Sequence, residues 1–182
     1  MSFDLSSNYF EIFELPRSFT IDLTLLVQRF RDLQQVVHPD RFASASDQER
    51  RISMQQSTKL NEAYQALKDP LSRARYLLEL NGVQWGDEQS TVSDTAFLME
   101  QMELREALSE VRGKRDPLME VGQILDDVVF RIRKMTDELG LQFERSDEEH
   151  LEQAKETVKK LQFLNKLKEE AESTEADLED EI

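Results

Sequence analysis

Apolar residues recur along the chain at spacings of three and four with polar residues between them, so the pattern predicts helix nearly throughout. Asn8 to Leu15 is a short apolar segment stopped by Pro16, with Tyr9, Ile12 and Phe13 at helical spacing. Asp22 is placed to cap a second helix over Leu23 to Val37, whose stripe is Leu26, Phe30, Leu33 and Val37, with Gln28, Asp32 and Gln35 opposite. Arg29 and Arg31 flank that stripe, and both are expected to reach solvent. Ser46 with Glu49 forms a capping box that opens a third helix running to about Lys68, with Met54, Ser57, Leu60, Ala63 or Tyr64, and Leu67 as its stripe. Asp69-Pro70 restarts the chain as N-cap and first helical residue; Leu71, Ala74, Leu77 and Leu78 form the buried face, and Asn81-Gly82 ends the helix.

Between Gly82 and Ser93 the composition shifts to glycine and small polar residues, which places a boundary there. Three longer helical patterns follow. The first runs from Asp94 to about Arg112. The second opens at Asp116-Pro117, and Leu118, Val121, Leu125, Val128, Ile132, Met135 and Leu139 repeat as a heptad-like seam until Gly140, which is expected to stop it. Ser146 with Glu149 reads as a second capping box for the last helix, with Leu151, Ala154, Val158 and Leu161 inward. Short connections between such seams suit an antiparallel three-helix bundle. After Lys168 come eight acids and no base, expected to form a frayed, solvated tail. The chain therefore reads as all-α: a four-helix domain at 1–80, a linker at 81–93, a bundle at 94–172 and an acidic tail at 173–182.

The helix from Asp94 has more apolar residues than one buried face needs. At about 100° per residue, Phe97, Leu104, Ala107, Leu108 and Val111 make one stripe. Leu98, Met99 and Met102 fall on the opposite side, with Glu106 among them and Glu103 at the edge. Two faces imply two neighbours: either the helix is sandwiched inside the chain, or a methionine-rich patch edged by carboxylates holds a partner. Phe163 lies off the stripe of the last helix, and is either a packing plug or an exposed anchor.

Charge and composition narrow the function classes. Residues 1–75 carry 10 Lys+Arg and 10 Asp+Glu, whereas residues 76–182 carry 13 against 28, so the whole charge of −15 belongs to the second part. Neither part has the basic stripe that a phosphate backbone requires, which argues against nucleic-acid binding. There is no cysteine, so disulfide scaffolds and Cys-ligated metal centres are excluded, and no metal or cofactor is expected. Without an apolar run of membrane-spanning length or a basic, apolar leader, a cytoplasmic protein is expected.

Between the second and third helices stands His38-Pro39-Asp40-Arg41-Phe42. Proline keeps the residue before it out of the α region, so His38 should close the helix and the tripeptide should stand out as a short loop presenting an imidazole and a carboxylate. An enzyme reading would make His38 a general base assisted by Asp40 or His150. No second acid, oxyanion donor or phosphate loop accompanies it. A purely structural coiled-coil protein would explain the seams but not this loop.

The His-Pro-Asp loop behind a helix carrying Arg29 and Arg31 resembles the signature of J-domains. Taken together with NYFEIFELP, NEAYQALKDPLSRARYLL, TAFLMEQMELREAL and VKKLQFLNKLKE, in that order and spacing, the chain is similar to the HscB family of J-type co-chaperones of bacterial iron-sulfur cluster assembly, over residues 8 to about 170. The resemblance implies an amino-terminal J-domain that binds the specialised DnaK-type chaperone HscA and stimulates its ATPase, with contacts from His38, Pro39, Asp40, Arg29, Arg31 and Arg41. It also implies a carboxy-terminal bundle that binds the cluster scaffold protein IscU through Leu98, Met99, Met102, Glu103, Glu106 and Phe163. The alternative is a general folding J-protein with a different helical client domain. General J-domains carry a denser Lys/Arg run before the loop, where this chain has Gln34, Gln35, Val36 and Val37.

Overall fold

The computed structural model describes residues 3–38, 45–85, 94–145 and 147–181, and these fold into two compact units, Met1–Leu80 and Asn81–Ile182. Helices α1 (Tyr9–Ile12), α2 (Leu23–Val37), α3 (Asp47–Lys68) and α4 (Pro70–Leu80) make the first; α5 (Thr95–Glu110), α6 (Pro117–Phe143) and α7 (Glu148–Asp180) make the second. Among the described residues there is no strand.

Short polar side chains start these helices by taking amides that have no carbonyl partner one turn back. Asn8 and Glu11 cap α1 reciprocally, as Ser46 and Glu49 cap α3. Asp22 accepts from the amides of Thr24 and Leu25 at 2.9 and 3.0 Å, and Asp69 from that of Ser72 at 2.7 Å. Gly82, at φ 78°, follows α4 in the left-handed conformation that ends helices.

In the first unit Phe10, Phe13, Leu26, Leu60, Leu67 and Leu78 form the buried centre. Helices α2 and α3 run antiparallel: Val37 meets Ser53, and Phe30 stacks on Tyr64 with centroids 4.1 Å apart. Tyr76 ties α4 to α1, stacking on Tyr9 at 4.3 Å while its hydroxyl accepts from the Tyr9 amide at 2.9 Å. The inward stripe of α3 differs from expectation at its first position. Met54 is exposed and Ser53 is buried, because the small side chain fits beneath the end of α2 and its hydroxyl donates to the Val37 carbonyl at 2.8 Å. Arg73 is also buried; its guanidinium donates to the Leu67 carbonyl at 2.5 Å and lies 5.1 Å over the Phe19 ring, and burial holds its pKa below the usual arginine value.

In the second unit α6 runs antiparallel to α5 and α7, which are parallel to each other. Lys160 meets Asp94 at 2.6 Å, Phe163 meets Phe97, Arg105 meets Glu170 at 3.2 Å, and Arg112 meets Asp177 at 3.7 Å. Phe97, Leu108, Val111, Val121, Val128, Leu164 and Leu167 close the core. Ala107 is exposed, so the inner stripe of α5 is narrower than the wheel suggested. Gly140 does not stop α6, which continues to Phe143: a helical glycine costs only about 1 kcal/mol, and the adjacent Leu139 is fully buried. The capping box assigned to Ser146 lies outside the described residues, and the cap of α7 is Asp147, which accepts from the His150 amide at 3.1 Å.

The largest departure is at the carboxy terminus. The acidic stretch is not a frayed tail but the last turns of α7, a helix of 33 residues. Ala171 and Leu178 are buried in the bundle core, and Arg112 pairs with Asp177 and Glu181. Two apolar residues at helical spacing, with one arginine drawing two of the acids, override the local charge repulsion.

Candidate functional site

The first candidate surface is the end of α2. His38 is its C-cap, with φ −60° and ψ 127°, the extended backbone that a following proline favours, and its side chain is exposed. Pro39, Asp40 and Arg41 lie outside the described residues. The turn leading to them is anchored by the hydrogen bond from Ser53 to the Val37 carbonyl and by the burial of Val37 itself.

The two arginines of α2 are not equivalent. Arg31 is exposed, as expected. Arg29 is turned back onto the segment after α1, where its guanidinium donates to the carbonyls of Phe13 and Glu14 and lies 3.8 Å from the Glu14 carboxylate. Glu14 has φ 48°, so the cation satisfies carbonyls at a turn that ordinary side chains disfavour. Arg29 therefore reaches solvent only in part, its side chain 29% exposed, because two backbone acceptors compete for it locally.

The second candidate surface is the outer side of α5. Met99 and Met102 are 60% and 71% exposed, and Glu103 and Glu106 are exposed beside them. Leu98 and Phe163 are half-buried against the core cluster; Phe163 meets Phe97 edge-on with centroids 6.5 Å apart. The second face of α5 is thus split: its methionines and carboxylates stand in solvent, while Leu98 and Phe163 each divide their surface between core and solvent. Next to them Lys160 lies 5.5 Å over the Phe97 ring and hydrogen-bonds Asp94, the N-cap of α5, and this bond holds the Asp94 carboxyl below the usual carboxylate range.

A family model described as the HSCB C-terminal oligomerisation domain matches residues 93–172. Over 164 residues the chain is 44% identical to a co-chaperone protein HscB homolog of Shewanella halifaxensis, covering 90% of this chain and 94% of that protein. The chain belongs to the HscB family of co-chaperones. A homologue from Pseudoalteromonas atlantica is 44% identical over 173 residues, 95% of this chain and 99% of its own. The family likeness extends to three dimensions. Chaperone HscB from Vibrio cholerae superposes with a TM-score of 0.85 at 41% identity, covering 94% of this chain and 99% of that one. Human co-chaperone protein HscB gives 0.85 at 32% identity, covering 94% and 84%. The architecture is that of the family: an all-α J-type co-chaperone with a J-domain followed by a helical bundle.

Ser53 and the anchored Arg29 escaped the sequence reading. A lone serine on an apolar stripe was the available signal for the first. Met119, Phe130 and Leu141, apolar residues off the seam of α6, were legible as such but had no place in the bundle.

Proposed function

We propose that the chain couples two partners: a specialised DnaK-type chaperone of the HscA kind, bound through the J-domain, and an iron-sulfur scaffold protein of the IscU kind, bound through the bundle. In this reading residues 1–80 act as the J-domain, 81–93 as connector and the helices from Asp94 onward as the scaffold-binding unit, all in the cytoplasm. His38, Pro39 and Asp40 form the contact with the chaperone, Asp40 accepting charge-assisted hydrogen bonds from a basic residue there. Arg31 and Arg41 assist electrostatically, and Arg29 contributes indirectly by holding the turn behind α2. Leu98, Met99, Met102, Glu103, Glu106 and Phe163 receive the scaffold. The hydrolysis belongs to the chaperone.

The observation that supports the scaffold surface is the exposure of Met99 and Met102 with two free-standing carboxylates, an adaptable apolar patch with an acidic border. The test is the ATPase rate of an HscA-type chaperone with and without scaffold. His38→Gln or Asp40→Asn should abolish stimulation while calorimetry still registers scaffold binding. Full stimulation by either variant would remove the chaperone contact from this loop.

A further inference from the structure

Where α2 ends, the ordinary means of closing a helix are missing. The last carbonyls of a helix have no amide one turn ahead, and the usual remedy is a donor from the residues just past the C-cap. Here the C-cap is His38 and the next residue is Pro39, which has no amide hydrogen to give. No glycine follows to turn the backbone left-handed, and the last turn of α2 carries no basic side chain that could reach back to the carbonyls. A donor has to come from elsewhere in the fold.

It comes from α3. The Ser53 hydroxyl donates to the Val37 carbonyl at 2.8 Å, and both residues are only 1% exposed. On either side of Ser53 in the chain, Ile52 and Met54 are exposed, so α3 turns a serine inward between two apolar residues turned out. Alanine would occupy the same place with a better helix propensity and no polar atom to bury, so what the serine adds there is the donor. The bond acts on one peptide plane. The Val37 carbonyl and the His38 amide belong to the same rigid unit, so a donor that fixes the carbonyl also fixes the plane from which His38 departs. His38 leaves that plane at φ −60° and ψ 127° with its side chain exposed, while Val37 behind it is buried.

We infer that Ser53 is a positioning residue for His38: its hydroxyl holds the Val37–His38 peptide so that the imidazole is presented to the chaperone in one orientation. The inference rests on the proposed reading of His38 as part of the chaperone contact; Ser53, being buried, touches no partner itself. Without the hydroxyl the Val37 carbonyl is left buried with no donor, and a fraction of the molecules turns this peptide toward water instead. A contact whose competent conformation is only partly populated loses apparent affinity in proportion to that fraction, whereas its effect at saturation is kept. Loss of Ser53 therefore shows in how much of the chain is needed, and not in the rate finally reached.

The test titrates the ATPase of an HscA-type chaperone with the full chain, well below the melting temperature of every variant, alongside proton NMR of the free chain. Ser53→Ala should raise the half-saturating concentration roughly three- to tenfold, the factor that one lost intramolecular hydrogen bond commands, and leave the maximal rate unchanged. Tyr76→Phe is the matched control. It removes the hydroxyl that accepts from the Tyr9 amide at 2.9 Å, a bond between α4 and α1 in the same unit, and should lower the melting temperature without moving the half-saturating concentration. The chain has two histidines, so the imidazole signals of His38 are those lost in His38→Gln. These signals and the His38 amide should shift and broaden in Ser53→Ala and stay in place in Tyr76→Phe. With His38→Gln inactive, an unchanged titration for Ser53→Ala, an equal displacement by Tyr76→Phe, or His38 signals indifferent to Ser53→Ala would each overturn the inference and leave the chaperone contact standing. Full stimulation by His38→Gln would instead remove the contact, and the inference with it.

Discussion

Residues on the second face of α5 differ in how much of each the protein itself has already claimed. Met99 and Met102 stand in solvent, so truncating them removes almost nothing from the fold; Leu98 and Phe163 are half-covered by the core cluster, so truncating them removes packing as well as contact surface. Met99→Ala and Met102→Ala should therefore weaken scaffold binding about tenfold or more while changing folding stability by less than about 0.5 kcal/mol. Leu98→Ala and Phe163→Ala should weaken binding and also lower stability by roughly 1 to 3 kcal/mol, below the full cost of a core truncation because part of each side chain is already wet. Titration calorimetry alongside urea denaturation separates the two classes. Loss of stability without loss of binding at Leu98 and Phe163 would make them core residues that happen to show at the surface. The same division explains what the sequence could disclose: a helical wheel locates a second apolar face, but the depth of each residue on it depends on the neighbouring helix. Arg29 illustrates this too, since its acceptors lie on a turn 15 and 16 residues away that no periodicity connects to it.

Elements were legible wherever their ends carry local chemistry. The caps at Asp22, Ser46, Asp69, Asp94 and Asp116 start their helices as their side chains dictate. Boundaries set by tertiary packing were not legible, namely the passage of α6 through Gly140 and the extension of α7 to Asp180, because burial outweighs both a glycine and a run of like charges. The extension carries a prediction. Leu178 is only 6% exposed, so Leu178→Ala should lower the stability of the second unit by about 2 to 3 kcal/mol, the lower part of the range for core leucines, and removal of residues 173–182 should cost more. A truncation as stable as the full chain by thermal denaturation would return this segment to the status of a solvated tail. A second prediction concerns how α5 and α7 begin. The bond from Lys160 lowers the Asp94 carboxyl, and the bond from His150 lowers that of Asp147. A carboxyl whose folded pKa is depressed stabilises the fold above its unfolded value, about 3.9 for aspartate, and loses that contribution as pH falls through the folded value. Melting temperature should thus drop steeply below about pH 4, and Asp94→Asn should lower it at neutral pH while flattening that acid limb. An acid limb of the same slope in the variant would show that other carboxylates control it.

At the scale of the whole molecule, the division of charge matches the division of labour proposed for the two units. Residues 1–75 are neutral and residues 76–182 carry all of the −15, so long-range fields favour keeping basic partners near the bundle without drawing them to the J-domain. In the proposed function neither surface needs the other in order to bind, and what their union in one chain would contribute is proximity. On that proposal a scaffold held by the bundle and a chaperone contacted by the J-domain would be brought to an effective concentration of order millimolar, as for two sites joined by a short connector. The segment 1–80 alone should therefore still stimulate an HscA-type ATPase at saturating concentration, but the additional stimulation seen when scaffold is present should vanish, and adding the segment 81–182 as a separate chain should not bring it back. The full chain should show that additional stimulation at concentrations at least tenfold lower than the mixture of halves. If the separated halves matched the intact chain at equal concentration, coupling would have to arise from a conformational signal within one partner, and the connection between the units would carry no part of the mechanism.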